Sequence, residues 1–315
     1  MKASVVVCAY SLERLADIGR AVDSLLRQTH EDREIVLAVD NNRELYHRLG
    51  QSLPRAVVLA LNERERGLSP TRNAGVRASS GDVIAFMDDD AVAREDWIER
   101  QVSHYADPLV AGVGGRALPA WEDEPARWLP EELYWAIGCT YAGYGDGVRP
   151  VRNVHGNTMS FRREVFERVG LFSSVIGHNR NLLGGEETEF CLRIAAAMPE
   201  ARLVYDPEVL IFHKVPRERC TAGHLLRRAY GEGVSKALIR RAAADRTAAL
   251  SDESRYLKRL ATACPRRILR LLLRGHAATA LAQGSALFLA VSGTGVGYAL
   301  TRARLALRRN GGHGH

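Results

Sequence analysis

Several signals that define common classes of protein are missing from this chain of 315 residues. Its five cysteines are scattered without a Cys-x-x-Cys pair, and Cys8 and Cys191 lie in apolar stretches typical of reduced core residues. No helix-turn-helix, zinc-finger or RNA-binding signature occurs, so nucleic acid is not an expected partner. Met1-Lys2 runs directly into a valine-rich stretch, so no signal peptide is expected. The reduced cysteines favour a cytoplasmic location.

Glycine-rich nucleotide-binding motifs are also missing. The nearest stretch, at residues 112–115, is followed by Ala117-Leu118-Pro119 where a helix should begin, and no Gly-Lys-Ser/Thr loop is present. A Rossmann dehydrogenase and a P-loop ATPase are therefore not expected.

Charge is distributed unevenly along the chain. Lys plus Arg outnumber Asp plus Glu by 44 to 37, a net charge of +7, and arginine is dense between residues 217 and 309. Residues 277–301 carry no charge and are flanked by arginines, but Gly293, Gly295 and Gly297 are expected to break a helix there. Membrane spanning and soluble packing stay open for this region, and attachment to an anionic membrane surface is favoured.

The order of strand-like and helix-like segments along the first half of the chain predicts the fold. Apolar runs typical of buried strands lie at residues 3–9, 34–39, 56–61 and 83–87, and helical patterns lie at 14–28 and 69–79. Ser69 is the expected cap of the second helix, with Pro70 at its first position. This order predicts an α/β protein with a mixed, largely parallel central sheet flanked by helices. Ligands bind such sheets at the carboxyl ends of the strands.

Three carboxylates, Asp88, Asp89 and Asp90, directly follow the apolar run at 83–87. Like charges repel one another, so a cation or a metal-bound diphosphate is expected among them. The alternative is that they cap a helix predicted near Arg94. Capping uses one acid rather than three, so a metal-diphosphate site is favoured.

Polar residues at two other strand ends are expected at the same edge of the sheet. Tyr10 follows the first strand and Asp40 follows the second. Asp40 could accept a hydrogen bond from a base or ribose, or could form an Asx turn. Arg72 and Asn73 begin a predicted helix, where they could bind a base or phosphate, or form a surface salt bridge.

A second acidic cluster, Glu186-Glu187, opens a predicted helix at 186–197 directly after two glycines. These acids could complement the helix dipole or abstract a proton, and proton abstraction is favoured. His213 ends a strand region at 204–213 and could be a metal ligand or a hydrogen-bonded core histidine.

Residues 119–150 are irregular and rich in aromatic side chains. They could form a pocket wall or lid, because aromatic faces stack on sugar rings, or a cluster packed under a long loop.

Seven segments occur in an order and at a spacing typical of one enzyme family. They are Val5-Val6-Val7-Cys8-Ala9-Tyr10, Ser24-Leu25-Leu26-Arg27-Gln28-Thr29, Val39-Asp40, Gly67 with Arg72-Asn73-Ala74-Gly75, Phe86-Met87-Asp88-Asp89-Asp90, Gly156-Asn157-Thr158-Met159-Ser160-Phe161-Arg162-Arg163 and Gly185-Glu186-Glu187-Thr188-Glu189-Phe190. Over residues 3–240 the chain therefore resembles the family 2 glycosyltransferases of GT-A fold. A narrower likeness, to the archaeal glucosyl-dolichyl-phosphate glucuronosyltransferases, rests on Asn42-Arg43-Glu44-Leu45-Tyr46, Asp90-Ala91-Val92-Ala93, Trp128-Leu129-Pro130 and Val234-Ser235-Lys236-Ala237.

The resemblance implies an inverting hexosyltransferase that uses Mg²⁺ or Mn²⁺ and a nucleotide-sugar donor. The narrower likeness implies a UDP-hexuronic acid donor and a polyprenyl-phosphate-linked sugar acceptor. Another nucleotide sugar with a polysaccharide or soluble acceptor is the alternative within the family. A glycoside hydrolase and a non-catalytic sugar-nucleotide-binding module are the alternatives from other classes. The oligomeric state stays open.

The resemblance also implies roles for single residues. The implied nucleotide-sugar-binding residues are Ala9, Tyr10, Asp40, Arg72, Asn73, Asp88 and Asp89. The implied metal ligands are Asp90, Asp88 and His213, and the acceptor-side residues are Gly156, Asn157, Trp128 and Trp135. Glu187 stands at the position of the catalytic base. The commoner family pattern is Glu-Asp, and the longer side chain here leaves Glu186 as an alternative base.

The expected domain organisation follows from these segments. A GT-A transferase domain is expected at 1–240, with a nucleotide-sugar half at about 1–115 and an acceptor half at 116–240. A helical, membrane-associating appendage is expected at 241–310, with a disordered tail at 311–315. The enzyme is therefore expected to be peripheral on the inner face of the cell membrane.

Overall fold

The structure is a computed structural model that describes residues 1–174, 184–242 and 251–311. Of the tail expected at 311–315, residues 312–315 lie outside the described residues.

Strands and helices alternate through the first two thirds of the chain, and helices dominate the last third. The strands are β1 (Ala3–Ala9), β2 (Arg33–Asp40), β3 (Val57–Asn62), β4 (Val83–Asp88), β5 (Ala91–Ala93), β6 (Val110–Trp121), β7 (Arg149–Val151), β8 (Thr158–Arg162) and β9 (Arg202–Val215). The helices are α1 (Leu15–Leu26), α2 (Arg43–Ser52), α3 (Leu68–Ala78), α4 (Trp97–His104), α5 (Arg163–Val169), α6 (Glu186–Ala197), α7 (Ala222–Ala242), α8 (Ser251–Leu273) and α9 (Ala277–Gly311). Short 3₁₀ helices lie at Leu12–Arg14, Glu131–Ile137 and Arg217–Arg219.

Among the described residues the nine strands form one mixed sheet in the order β3-β2-β1-β4-β8-β6-β9-β5, with β7 paired to β9. The first four strands of this order pair in parallel, whereas β8 runs antiparallel to both β4 and β6. Cys8 of β1 is opposite Asp88 of β4, and Asp40 of β2 is opposite Asn62 of β3. The predicted α/β fold with a mixed sheet and flanking helices is confirmed, and the strand ends that carry polar residues share one edge.

Alternating side chains of the central strands form a core on each face of this sheet. Val5 and Val7 of β1 belong to one buried cluster, while Val6 belongs to the other. This is the alternation expected when both faces of a strand are covered. Helix α1 packs on the first face, and Phe190 and Ile194 of α6 pack on the second. The sheet is therefore a rigid support for the polar residues at its edge.

One local expectation about the first half of the chain was wrong, and one helix there was missed. The cap of α3 is Gly67, with a φ of 135° that favours glycine, and Ser69 lies inside the first turn. Pro70 is tolerated because the first N–H groups of a helix need no partner within the helix. Helix α2 was not predicted, although Asn42 caps it by accepting a hydrogen bond from the backbone N–H of Leu45 at 3.0 Å.

The glycines at 112–115 lie in strand β6, where neighbouring groups leave no room for a side chain. A Cβ atom on Gly115 would lie 2.0 Å from the carbonyl oxygen of Val209, and one on Gly112 would lie 2.6 Å from the Phe161 ring. The glycines therefore serve close strand packing.

The chain divides into two compact units. The first comprises Met1–Ala120, Gly145–Asn181 and Glu186–Lys214, and the second comprises Trp121–Tyr144, Leu182–Gly185 and Val215–His315.

Helix α9 of the second unit runs without interruption through the glycines that were expected to break it, so that expectation was wrong. A Cβ atom on Gly297 would lie 2.2 Å from the carbonyl oxygen of Tyr230 in α7. A Cβ atom on Gly233 of α7 would lie 2.1 Å from the carbonyl oxygen of Thr294 in α9. The glycines allow the two helix backbones to approach closely, and this contact offsets their low helix propensity.

Replacing Gly233 with alanine is expected to lower the free energy of unfolding by about 1–3 kcal/mol, because the added methyl group must push α7 away from α9. Urea unfolding measures this change. The matched control is Gly295→Ala, since nothing lies within 4 Å of a Cβ atom there. This control should be neutral or stabilising by up to about 1 kcal/mol. Equal unfolding midpoints for the two variants would rule out close helix packing at Gly233.

One helical stretch among the described residues, Ala277–Leu307, has the length and composition of a membrane span. Core helices and signal sequences can share these properties, so the observation is weak evidence for a membrane. Leu281, Phe288 and Leu307 are exposed on this helix, whereas Ala286 and Ala290 are buried. The helix thus has one packed face and one exposed apolar face.

Candidate active site

Two aspartates and a histidine meet at the end of strand β4. Asp88, Asp90 and His213 each offer one ligand atom, and these atoms lie within 4.8 Å of one another. Strand β5 pairs Ala91 with His213 of β9, which brings the imidazole beside the acids. Nε2 of His213 lies 3.5 Å from Oδ2 of Asp88 and 3.3 Å from Oδ1 of Asp90. Two carboxylates and an imidazole could together hold a divalent metal ion, and carboxylate oxygens are ligands that Mg²⁺ and Mn²⁺ prefer.

Burial makes this cluster electrostatically unusual. Burial raises the pKa of Asp89 to about 7, and the Asp90 and Asp88 carboxylates add to the effect, while Arg14 partly offsets it. Burial also acts to raise the pKa of Asp88, but its hydrogen bond to His213 and the charge of that imidazole lower it overall. A divalent cation held by Asp88 and Asp90 would offset the mutual repulsion of these neighbouring carboxylates.

Tyr10 and Asp40 lie on the same edge of the sheet but differ in their surroundings. Ala9 is buried at the end of β1, and the side chain of Tyr10 that follows it is exposed. The carboxylate of Asp40 accepts hydrogen bonds from Nδ2 of Asn62 and from the backbone N–H of Gly67, both at 3.1 Å. Asp40 therefore ties β3 and the start of α3 to the end of β2, and its contact with a nucleoside stays a prediction.

Arg72 and Asn73 are both buried in α3 and bind protein groups. Nη1 of Arg72 donates to Oε1 of Glu186 at 2.7 Å, and Nη2 donates to the carbonyl oxygen of Gly156 at 2.9 Å. The amide of Asn73 donates to and accepts from the backbone of Phe172. Neither residue forms the surface salt bridge considered from the sequence.

The two acids at the start of α6 have different environments. Glu186 is 2% exposed and is paired with Arg72, whereas Glu187 is only half-buried. Gly184 and Gly185 precede them with φ values of 117° and 102°, which strongly favour glycine. A carboxylate that must reach a substrate hydroxyl needs access, and Glu187 has more of it.

Comparison with known proteins identifies the family. Residues 4–170 match the family model described as glycosyl transferase family 2. The chain belongs to glycosyltransferase family 2. The glucosyl-dolichyl phosphate glucuronosyltransferase of Haloferax volcanii is 35% identical over 305 residues, which cover 95% of each chain. The pre-mycofactocin glycosyltransferase of Mycobacterium tuberculosis is 26% identical over 59% of this chain and 43% of its own.

A solved structure supports the GT-A fold of this family 2 glycosyltransferase. The mannosyltransferase PcManGT of Pyrobaculum calidifontis, solved with GDP-Man and Mn²⁺, matches with a TM-score of 0.60 at 20% identity. The match covers 95% of this chain and 86% of the other. The expectation of a GT-A fold is thereby confirmed. The family match and the 35% identical relative confirm the expectation of a transferase enzyme.

The sequence analysis of this family 2 enzyme missed Arg14. Its Nη1 donates to Asp89, and its Nη2 lies 3.3 Å from Oδ2 of Asp90. Its guanidinium carbon also lies 5.0 Å from the centre of the Tyr10 ring. The two carboxylates raise the pKa of Arg14 although burial acts to lower it. Arg14 could have been found from the sequence as a basic residue four positions after Tyr10, at the same edge of the sheet.

The expected acceptor-side residues of the family 2 enzyme fall in different units. Gly156 and Asn157 belong to the first unit, just before β8, and both are half-buried. Trp128 and Trp135 belong to the second unit, where both pack against a buried apolar cluster. Nε1 of Trp135 donates to the hydroxyl of Tyr256 at 2.9 Å. Acceptor contact by these four residues stays a prediction.

Proposed function

We propose that this family 2 glycosyltransferase transfers glucuronic acid from a UDP-sugar to a hydroxyl of a polyprenyl-phosphate-linked sugar. The observation that carries this substrate pair is the 35% identity, over 95% of both chains, to the glucosyl-dolichyl phosphate glucuronosyltransferase. The acidic cluster at the end of β4 supports a diphosphate donor, since Asp88, Asp90 and His213 can together hold a divalent ion.

The donor site lies at the ends of β1, β2 and β4. The proposed ligands of Mg²⁺ or Mn²⁺ are Asp90, Asp88 and His213. Such an ion would neutralise negative charge on the leaving diphosphate. The exposed ring of Tyr10 and the carboxylate of Asp40 would hold the nucleoside. Arg14 keeps Asp89 and Asp90 paired with a positive charge, which lets three carboxylates occupy neighbouring positions.

Glu187 is the proposed general base. Its carboxylate would accept the proton of the acceptor hydroxyl while that oxygen forms a bond to the anomeric carbon of the donor sugar. The bond from the anomeric carbon to the nucleoside diphosphate breaks on the opposite face, so one displacement inverts the configuration. Glu186 forms an ion pair with Arg72 and is therefore assigned a structural role.

The second unit is proposed to attach the enzyme to the inner face of the membrane that holds the lipid acceptor. No acidic residue follows Glu253 in the sequence, whereas arginines are frequent there. The exposed apolar face of α9 adds Leu281 and Phe288 to this basic region. A basic surface with apolar side chains suits an interfacial position on anionic lipid.

The proposed function is tested with purified full-length protein and anionic vesicles that contain glucosyl dolichyl phosphate. We expect UDP-glucuronic acid with Mn²⁺ to support transfer, and chelation to abolish it. UDP-glucose and GDP-mannose serve as matched donors, and transfer from either one alone would reject the proposed donor. The protein should sediment with the vesicles and be released at high salt. A protein that never sediments would contradict membrane attachment.

A further inference from the structure

The guanidinium of Arg72 is enclosed by protein groups. Its side chain is 4% exposed, and that of Glu186 is 3% exposed. The guanidinium carbon lies 5.9 Å from the ring centre of Phe86 and 5.7 Å from that of Phe172. Two of its nitrogens are engaged by Glu186 and by the carbonyl oxygen of Gly156. The charge of Arg72 is therefore balanced inside the protein by a carboxylate at the start of α6.

The backbone at Gly156 is shaped around this guanidinium. A Cβ atom on Gly156 would lie 2.9 Å from Nη2 of Arg72, so a side chain there would displace the arginine. Breaking a buried ion pair leaves the remaining charge uncompensated, which is strongly unfavourable. The pair between Arg72 and Glu186 is thus a firm connection between α3 and α6.

This connection acts at the residue before the proposed base. Glu186 is the first residue of α6, and Glu187 follows it directly. The two glycines that precede them, Gly184 and Gly185, give the chain wide conformational freedom at the entry to the helix. A side-chain bond at the first helical residue limits the positions that the next carboxylate can take.

We propose that Arg72 is a positioning residue for Glu187, acting through Glu186, and not a ligand of the nucleotide. The inference rests on the proposed role of Glu187 as general base. Arg72 fixes the first turn of α6 so that the Glu187 carboxylate meets the acceptor hydroxyl. The role implied by resemblance, contact with the base of the nucleotide, is replaced by a role on the acceptor side of the reaction.

The chain offers a matched control in Arg193 of α6, which, like Arg72, pairs with a glutamate of α6 and donates to backbone carbonyl oxygens. Arg193 pairs with Glu189 at 2.7 Å and donates to the carbonyl oxygens of Val169 and Leu171. Its ion pair is more exposed and lies farther along α6 from Glu187. Arg193→Met therefore removes an arginine that holds α6 without loosening its first residue.

The test compares Arg72→Met, Arg72→Lys and Arg193→Met with the wild-type protein. Hydrogen exchange is followed at the backbone amides of Phe190 and Cys191. In an α-helix these amides donate to the carbonyl oxygens of Glu186 and Glu187. For Arg72→Met we expect exchange at Phe190 to be about tenfold faster, with exchange in β1 unchanged. We expect kcat to fall about 100-fold while the Kd for UDP with Mn²⁺ changes by less than about threefold. Arg72→Lys should recover part of kcat, and Arg193→Met should keep kcat within about threefold.

Other results would overturn the inference. A Kd for UDP that rises about tenfold with normal exchange at Phe190 would make Arg72 a nucleotide ligand. If Arg72→Met does not fold, Arg72→Lys is compared with the wild-type protein by the same measurements. Unchanged exchange at Phe190 rejects the inference whichever sugar the wild-type protein transfers. Failure of the wild-type protein to transfer glucuronic acid rejects the proposed substrates instead, so the two failures are distinct.

Discussion

Replacing Glu187 with glutamine is expected to lower kcat about 1,000-fold while leaving the fold and the affinity for UDP unchanged. Glutamine keeps the size of the side chain but cannot accept the proton of the acceptor hydroxyl. Glu187 is half-buried in the first turn of α6, so loss of its charge is expected to have little effect on the free energy of unfolding. Steady-state kinetics at saturating donor, with thermal unfolding of the same sample, measure the effect.

The control for this substitution is Glu189→Gln on the same helix. Glu189 pairs with Arg193, and loss of this pair should change kcat by less than about threefold. Normal turnover by the Glu187→Gln enzyme would remove Glu187 from its role. Glu186→Gln would then be the next variant to assay, with its stability measured because Arg72 depends on that carboxylate.

Replacing Asp90 with asparagine is expected to reduce transfer by more than about 1,000-fold and to weaken Mn²⁺ binding. The substitution removes one of the two carboxylates that face His213, and it also removes a partner of Arg14. Electron paramagnetic resonance of free Mn²⁺ measures the affinity without any need for turnover. The expected loss of affinity is at least about 10-fold, because removing a group that only orients a metal ligand already costs that much.

The control for Asp90 is Asp96→Asn, because Asp96 pairs with Arg94 and Arg100 and is not part of the cluster. It should bind Mn²⁺ like the wild-type protein. If the Asp90→Asn protein binds Mn²⁺ normally and also transfers sugar normally, the cluster is not the metal site. If transfer by the wild-type protein survives chelation, Asp90 has a role that needs no metal.

Strong local signals in the sequence predicted much of the fold. Strand β1 and helix α6 have the predicted bounds, because a run of valines and a pair of acids after two glycines are unambiguous over short distances. Helix α2 was missed because Leu45 and Leu49 are its only buried residues, which is a weak periodic pattern. Strand β5 has three residues and exists through its pairing with distant β9, so no local pattern specifies it.

The residues of the candidate site likewise fall into those that local sequence predicts and those that depend on the folded chain. Asp88, Asp89 and Asp90 could be placed at a strand end because the apolar run before them marks the strand. The partners of Arg14 and Arg72 could not be predicted, since they depend on how the sheet and helices pack. Arg72 meets Glu186 across 114 positions of sequence, and only the folded chain brings them together.

The close approach of β6 and β9 at Gly115 affects how a mutational scan of this enzyme should be interpreted. Any side chain at Gly115 would collide with the backbone of Val209, so every substitution there is expected to lower activity by destabilising the fold. A scan that records only product formation would rank Gly115 beside Asp90 and assign it to chemistry. Recording protein abundance alongside product would separate the two classes, because an Asp90 variant is expected to accumulate as folded protein and a Gly115 variant to accumulate less.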